Sequence, residues 1–452
     1  MRNGFLLGRI FFVGFYLLAL LALQVSPEVR AASWDQERAQ SHSLSLQQAY
    51  ELARKRGGFE VLEVSRLRVD LAHEQLRQAR GQMLPQIDFS YRLLQQDIPD
   101  SGAQTFSSAF REPRQTTSRL TLRQPLFRGL GEYRAMELAQ LVKSQEEQAY
   151  TQAEVDLFVD VLKRFVAVLK AEKERSTLAA LVRSLEQREA ELRRRVEIGR
   201  SRPADLLSAQ AQKALAEAEL LDVEVQLQVA RRYLRESLYG ADAGPQEVKM
   251  ELEGLALPGE ALPSLEGLLA ELERAPRFQA LSLRLGAARK EVSLRRAARL
   301  PRLDFEANYY FVRPGVLRDS QWDGALLLSW PLFSGGILRS QVAEVTIKQE
   351  QEELELARRL RQAQLELEAA YAQLVAQLEG LKLLEKAVAL SQKSFQQILA
   401  EYRRGLVTYL EVYQAETAYY QARRSFDRTR LQAQGQRLEL EAQVGRIAVI
   451  KN

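Results

Sequence analysis

Gln124-Pro125-Leu126-Phe127-Arg128-Gly129 and Trp330-Pro331-Leu332-Phe333-Ser334-Gly335 are two versions of one stretch, 206 positions apart. Val196-Glu197-Ile198-Gly199 and Tyr402-Arg403-Arg404-Gly405 repeat the same spacing, so two landmarks far apart in the chain share one offset. Shared spacing at that length marks an internal duplication, which fixes the architecture before any single element is assigned. Upstream, Leu84-Pro85-Gln86-Ile87-Asp88-Phe89 matches Leu300-Pro301-Arg302-Leu303-Asp304-Phe305 at an offset of 216. The first copy therefore carries ten extra residues between its two landmarks, in the polar stretch Gln95 to Gln115 with Pro99, Gly102 and Pro113. That stretch and its shorter counterpart Val312 to Gln321 read as hairpin loops.

Both loops are flanked by alternating sequence. Ile87, Phe89, Tyr91 and Leu93 fall on one face, Asp88, Ser90 and Arg92 on the other. In the second copy Leu303, Phe305, Ala307, Tyr309 and Phe311 oppose Asp304, Glu306 and Asn308. Period-two alternation predicts strands over about 86–94 and 302–311, with less regular return strands over about 116–124 and 322–330. Their lengths suit tilted strands crossing a bilayer.

After each Pro-Leu-Phe the period changes. Val155, Phe158, Leu162, Phe165 and Leu169 step 3, 4, 3, 4, as do Leu360, Ala363, Leu367, Ala370 and Leu374. These are coiled-coil seams, and the extra four-residue step to Leu378 is a stutter that relaxes the supercoil. No proline interrupts 128–198, and about 70 residues give a helix of roughly 105 Å. Gly199 and Gly405 stand where the long helices stop, as left-handed caps do. Pro203 with Asp205, and the capping box Thr408-Tyr409-Leu410-Glu411, then open new helices. The expected fold is mainly α with a small transmembrane β part, internally duplicated. The first repeat covers 44–239 with its tip turn at 199–203, and the second covers 264–449 with its tip turn at 405–408. A Gly- and Pro-rich connector, 240–263, joins them.

The N-terminus carries Arg2 and Arg9, an apolar run from Ile10 to Leu23, and a polar stretch ending at Val29-Arg30-Ala31. That layout predicts a cleaved secretory signal over 1–31. There is no cysteine, so disulfides and N-terminal lipid attachment are both excluded. The formal charge is +5, and basic residues interleave with acidic ones, as in Lys170-Ala171-Glu172-Lys173-Glu174-Arg175. That pattern is a solvated helix face and argues against a nucleic-acid partner. His42 and His73 are the only histidines, and no phosphate loop or metal motif accompanies them. No catalytic residue, metal site or cofactor is expected.

Four strands cannot close a barrel, and an open sheet in lipid would leave backbone groups unpaired, so several chains must share one. Two chains would give eight strands and three would give twelve. The element order, the duplication, the paired Pro-Leu-Phe landmarks and the glycine turns followed six positions later by an acid resemble the TolC family of outer-membrane efflux proteins. The resemblance runs from about Leu44 to Val449. It implies a homotrimer with a 12-stranded barrel in the outer membrane of a Gram-negative-type cell, and a helical tunnel in the periplasm. The channel would be the passive exit of a tripartite efflux or type I secretion system, with outer-membrane lipid, a periplasmic adaptor (membrane fusion protein) and an inner-membrane transporter as partners. It further implies gating residues at the periplasmic entrance, here Asp205, Tyr402, Glu411 and Gln414. Gln414 replaces an expected acid, and Val407 an expected arginine. Adaptor docking would fall on Gly199, Arg200, Ser201, Gly405, Leu406 and Val407. A periplasmic coiled-coil adaptor or scaffold would share the long helices without the four bilayer-length strands.

Overall fold

The structure is a computed structural model that describes residues 44–97, 114–240, 262–315 and 317–446. The signal 1–31, most of the connector 240–263 and most of the first hairpin loop lie outside the described residues. The chain runs α1 (Leu46–Leu52), a single π-helical turn (Ala53–Gly57), α2 (Phe59–Gly81), β1 (Gln86–Gln95), β2 (Arg114–Arg128), α3 (Gly131–Glu197) and α4 (Pro203–Tyr239). The second copy comes next as α5 (Leu265–Leu272), α6 (Pro276–Ala297), β3 (Arg302–Val312), β4 (Trp322–Ser329), α7 (Ile337–Arg403) and α8 (Tyr409–Gln443). The long helices α3 and α7 have 67 residues each, so each is about 100 Å long.

The four strands form one antiparallel sheet in the order β1-β2-β3-β4. β2 and β3 pair although two helical passes separate them in sequence. The register sets Ile87 against Leu122 and Phe89 against Leu120, then Leu120 against Tyr309 and Leu122 against Ala307. One face is thus apolar, and it carries edge-on ring pairs: Phe89 with Phe311 at 6.2 Å and Tyr309 with Phe311 at 5.2 Å. The opposite face is polar and knitted together. Thr121 donates to Asn308 at 2.8 Å, Asn308 to Asp323 at 2.9 Å, and Arg123 pairs with Glu306 at 3.1 Å.

β2 extends past the 116–124 span that alternation predicts. Pro125 lacks the amide a ladder needs, and the register shifts between Pro125 and Phe127. The bulge absorbs the missing donor and skips Leu126. Phe127 then lies opposite Leu303, and Arg128 opposite Arg302, where its Nε meets Asp304 at 2.7 Å. The outer edges of β1 and β4 have no strand partner among the described residues.

Helical packing centres on α3. Val155, Phe158, Leu162, Phe165 and Leu169 are buried against Ala49 and Tyr50 of α1, Leu234 and Leu238 of α4, and Leu431 and Leu438 of α8. Each such side chain stabilises the fold by about 1.5–3 kcal/mol. A second cluster joins Leu268, Phe278, Leu367, Leu374 and Leu440 from α5 to α8. Other apolar side chains stay uncovered in the single chain. Leu207, Leu215, Leu221, Val225 and Val229 stand exposed along α4, and Ile347, Leu354, Leu365, Leu383 and Leu390 along α7. No described helix is long and apolar enough to cross a membrane.

Candidate functional site

The two helix-hairpin tips share one geometry. At the end of α3, Gly199 has φ +70°, its amide bonds Val196 O at 3.0 Å, and the Arg200 amide reaches back to Arg195 O at 2.7 Å. At the end of α7, Gly405 has φ +78°, with Gly405 N to Tyr402 O at 3.0 Å and Leu406 N to Glu401 O at 3.1 Å. Both are Schellman caps, which need a residue that adopts positive φ without strain. Gly199, Arg200, Gly405 and Leu406 are exposed, while Ser201 and Val407 are half-buried. Leu406 and Ile198 present apolar side chains to solvent at 70% and 65% exposure.

Past the turn the two tips differ. Extended Arg202 and then Pro203 open α4 without a side-chain cap. Asp205 sits half-buried in the first turn, 3.9 Å from Arg202 Nε, where the helix dipole favours its charge. α8 opens on a capping box, with Thr408 N donating to Glu411 Oε1 at 3.2 Å and Thr408 Oγ1 donating to it at 2.8 Å. Those bonds hold the Glu411 carboxyl below its ordinary range. Gln414 is exposed on α8. Within one chain Asp205 lies close enough to Tyr402 to act on its phenol, whereas Glu411 is held by Thr408 and Gln414 is exposed, so only part of the expected gate is brought together.

Tyr402 is the one that binds the two hairpins together. It is buried with Leu192 of α3, Ala209 of α4, and Tyr409 and Val412 of α8. The Arg195 guanidinium lies 4.6 Å from its ring centre, a cation–π contact that gains from partial desolvation. Burial pushes its phenol above the ordinary value, with Arg195 opposing. Beside it, Tyr409 Oη donates to Gln212 Oε1 at 3.0 Å. Further along, Arg424 reaches Glu174 at 2.5 Å and Glu219 at 3.1 Å, joining α8 to α3 and α4. The duplication places Val196 at the position equivalent to Tyr402, so only the second hairpin carries the ring.

One buried acid escapes the sequence reading. Glu416 is 1% exposed, its Oε1 has no hydrogen-bond partner, and Arg188 of α3 is buried nearby. It occupies the seam Tyr409, Val412, Glu416, Tyr419, so the signal was a carboxylate on an apolar 3, 4, 3 stripe. Desolvation raises its pKa, and Ser184 and Arg188 oppose the rise. A carboxyl raised on folding penalises the native state above its folded pKa, and the penalty fades as pH falls toward the unfolded value. Glu411, which is depressed, contributes in the opposite sense, and its support is lost as pH falls through its folded pKa. Glu416→Gln is expected to raise the melting temperature at pH 8 and to narrow its difference from the value at pH 5. The check is thermal unfolding of both proteins at the two pH values. Among the described residues no cluster of His, Asp and Glu could hold a metal ion.

The comparisons with known proteins agree in kind. The family described as outer membrane efflux protein matches residues 60–239 and 268–446, one match for each repeat. Alkaline protease secretion protein AprF of Pseudomonas aeruginosa is 26% identical over 369 residues, 77% of this chain and 75% of that protein. The outer membrane protein VceC of Vibrio cholerae superposes with a TM-score of 0.77 at 19% identity, over 88% of this chain and 96% of that one. The open-state MtrE outer membrane channel of Neisseria gonorrhoeae superposes with a TM-score of 0.73 at 18% identity, over 88% of each chain.

Proposed function

Because the chain belongs to the outer membrane efflux protein family, we propose that it is the passive exit duct of a tripartite export machine, fed by an inner-membrane transporter through a periplasmic adaptor. It is an outer-membrane channel protein with its helical tunnel in the periplasm, and not an enzyme. The observation that carries the reading is the four-stranded sheet. One face is apolar and aromatic, the other polar, both edges are open among the described residues, and 67-residue helices leave its periplasmic end. A coiled-coil adaptor or scaffold has no use for such a sheet.

Three copies close the barrel. Eight strands from two copies would leave an interior just wide enough for side chains to fill, whereas twelve leave a lumen. The exposed apolar stripes on α4 and α7 would be covered by neighbouring copies, since stripes of that extent seldom face water. Two readings of the cargo remain. The kinship with AprF, named for protease secretion, favours a polypeptide; the efflux family as a whole favours small molecules.

At the entrance, Tyr402 and Arg195 latch the second hairpin to the first, with Asp205 beside them. Glu411 and Gln414 would face the axis of the assembled tunnel, and the six exposed tip turns would receive the adaptor. Tyr402→Ala combined with Asp205→Ala is expected to raise single-channel conductance in planar bilayers several-fold. Tyr402→Phe, which keeps the ring over Arg195, is expected to change it little. Unchanged conductance in the double variant would refute the latch.

A further inference from the structure

The register of the sheet sorts the charges on its polar face by height. Toward the periplasmic end the strands carry three carboxylates, Asp88, Glu306 and Asp304, and three guanidiniums, Arg123, Arg128 and Arg302, with Arg123 paired to Glu306 and Arg128 to Asp304. The strand charges of that half balance, and Glu132 of α3 adds a further acid beside Arg128. Toward the hairpin loops the polar face of the described strands carries Arg92, Arg119 and Asp323, while Arg114, opposite Gln95, falls on the other face, and Arg313 comes just after β3. Arg119 lies opposite Ser90, and Arg92 opposite Thr117, so the two cations are diagonal neighbours on one face. Arg119 Nε reaches only the neutral Ser90 Oγ, at 3.4 Å. Arg313 is spoken for, since it pairs with Asp323 at 3.0 Å and its guanidinium lies over the Tyr310 ring at 4.2 Å. Neither Arg92 nor Arg119 has an ion-pair partner among the described residues.

We propose that Arg92 and Arg119 form an anion-selecting girdle in the outer half of the barrel lumen. The inference rests on the channel reading above. Three copies would bring six guanidiniums, none with an ion-pair partner among the described residues, to adjacent register positions in the outer half of a twelve-stranded barrel. A ring of one sign in a low-dielectric wall concentrates counter-ions, and side-chain rings of Arg or Lys select anions in this way. Solutes leaving the duct cross this level after the balanced half, so anionic cargo is drawn through and cationic cargo is opposed. The Debye length is about 10 Å at 0.1 M salt and about 3 Å at 1 M. The girdle therefore acts across the lumen at low salt and only near the wall at high salt.

The test is the reversal potential of the purified channel in a planar bilayer under a KCl gradient, for the wild type and for Arg92→Gln/Arg119→Gln. The wild type is expected to show a chloride-to-potassium permeability ratio of about 5 near 0.1 M salt, falling toward 1 near 1 M. The double variant should bring the ratio to about 1 at both concentrations, with an open pore still present at 1 M salt, where the charges are screened. A cation-selective wild type, or an anion preference that survives the double substitution, overturns the girdle while leaving the channel in place. Absence of any pore from both the wild type and Tyr402→Ala/Asp205→Ala overturns the channel reading and the girdle with it.

Discussion

Phe89→Pro and Ser90→Pro in β1 are each expected to abolish the detergent-resistant oligomer while leaving the helical signal of the single chain largely intact. β1 pairs with β2 on one side only, and its other edge has no strand partner among the described residues. Successive amides along a strand point to opposite sides, so one of the two substitutions removes a donor facing β2 and the other a donor at the open edge. In hydrocarbon a backbone group without a partner has no water to fall back on, and each costs about 3 kcal/mol. That is a factor of roughly a hundred at one seam. In the proposed ring of three copies the fault would recur three times. The helices are packed by their own clusters around Phe165 and Leu374, which is why the chain itself should still fold. Unheated gel electrophoresis and circular dichroism read the two halves of this expectation. Full oligomer from both variants would mean that β1 does not form a seam.

Gly57→Ala is expected to destabilise the helical body by about 3 kcal/mol or more, the upper range for forced overpacking. Gly57 ends the π-helical turn between α1 and α2. A Cβ there would fall 2.1 Å from Ser237 O, 2.5 Å from Ser237 C and 2.7 Å from Leu238 C. All three atoms are backbone of α4, so no rotamer relieves the clash. Either α1 leaves the cluster it shares with Phe158 and Leu238, or the end of α4 shifts. Gly380 in α7 is the control, since a Cβ there meets nothing within 4 Å, and Gly380→Ala should stabilise by about 0.8 kcal/mol through helix propensity. Urea titration of the helical signal for both variants separates a steric requirement from a general intolerance of change.

The duplication was legible because its markers obey backbone chemistry. A turn that needs positive φ keeps its glycine, so Gly199 and Gly405 reveal both the offset and the cap. The long helices were legible from their seams, and the alternating strands from their aromatic faces. β2 was underestimated because Pro125 reads as a stop, and only the register with β3 reveals the bulge that tolerates it. The π-helical turn at Ala53–Gly57 had no local signature; it depends on how closely α4 approaches. At the tips, Tyr402 was visible as part of a seam, but its Arg195 partner lies on another helix, and such pairings depend on tertiary packing. Glu416 broke the apolar pattern in plain view, and reading the seam past Tyr409 would have found it. The pairing of β2 with β3 joins residues from the two copies and arises from no local pattern.

Assembly of this chain into a shared barrel underlies the duct, the entrance and the girdle alike. Its most direct test is the mass of the protein extracted from the outer membrane in detergent, corrected for bound detergent. Three copies of the mature chain per particle is the expected result. A particle of one or two copies would contradict the twelve-stranded barrel, and with it the duct, the six tip turns and the arginine girdle.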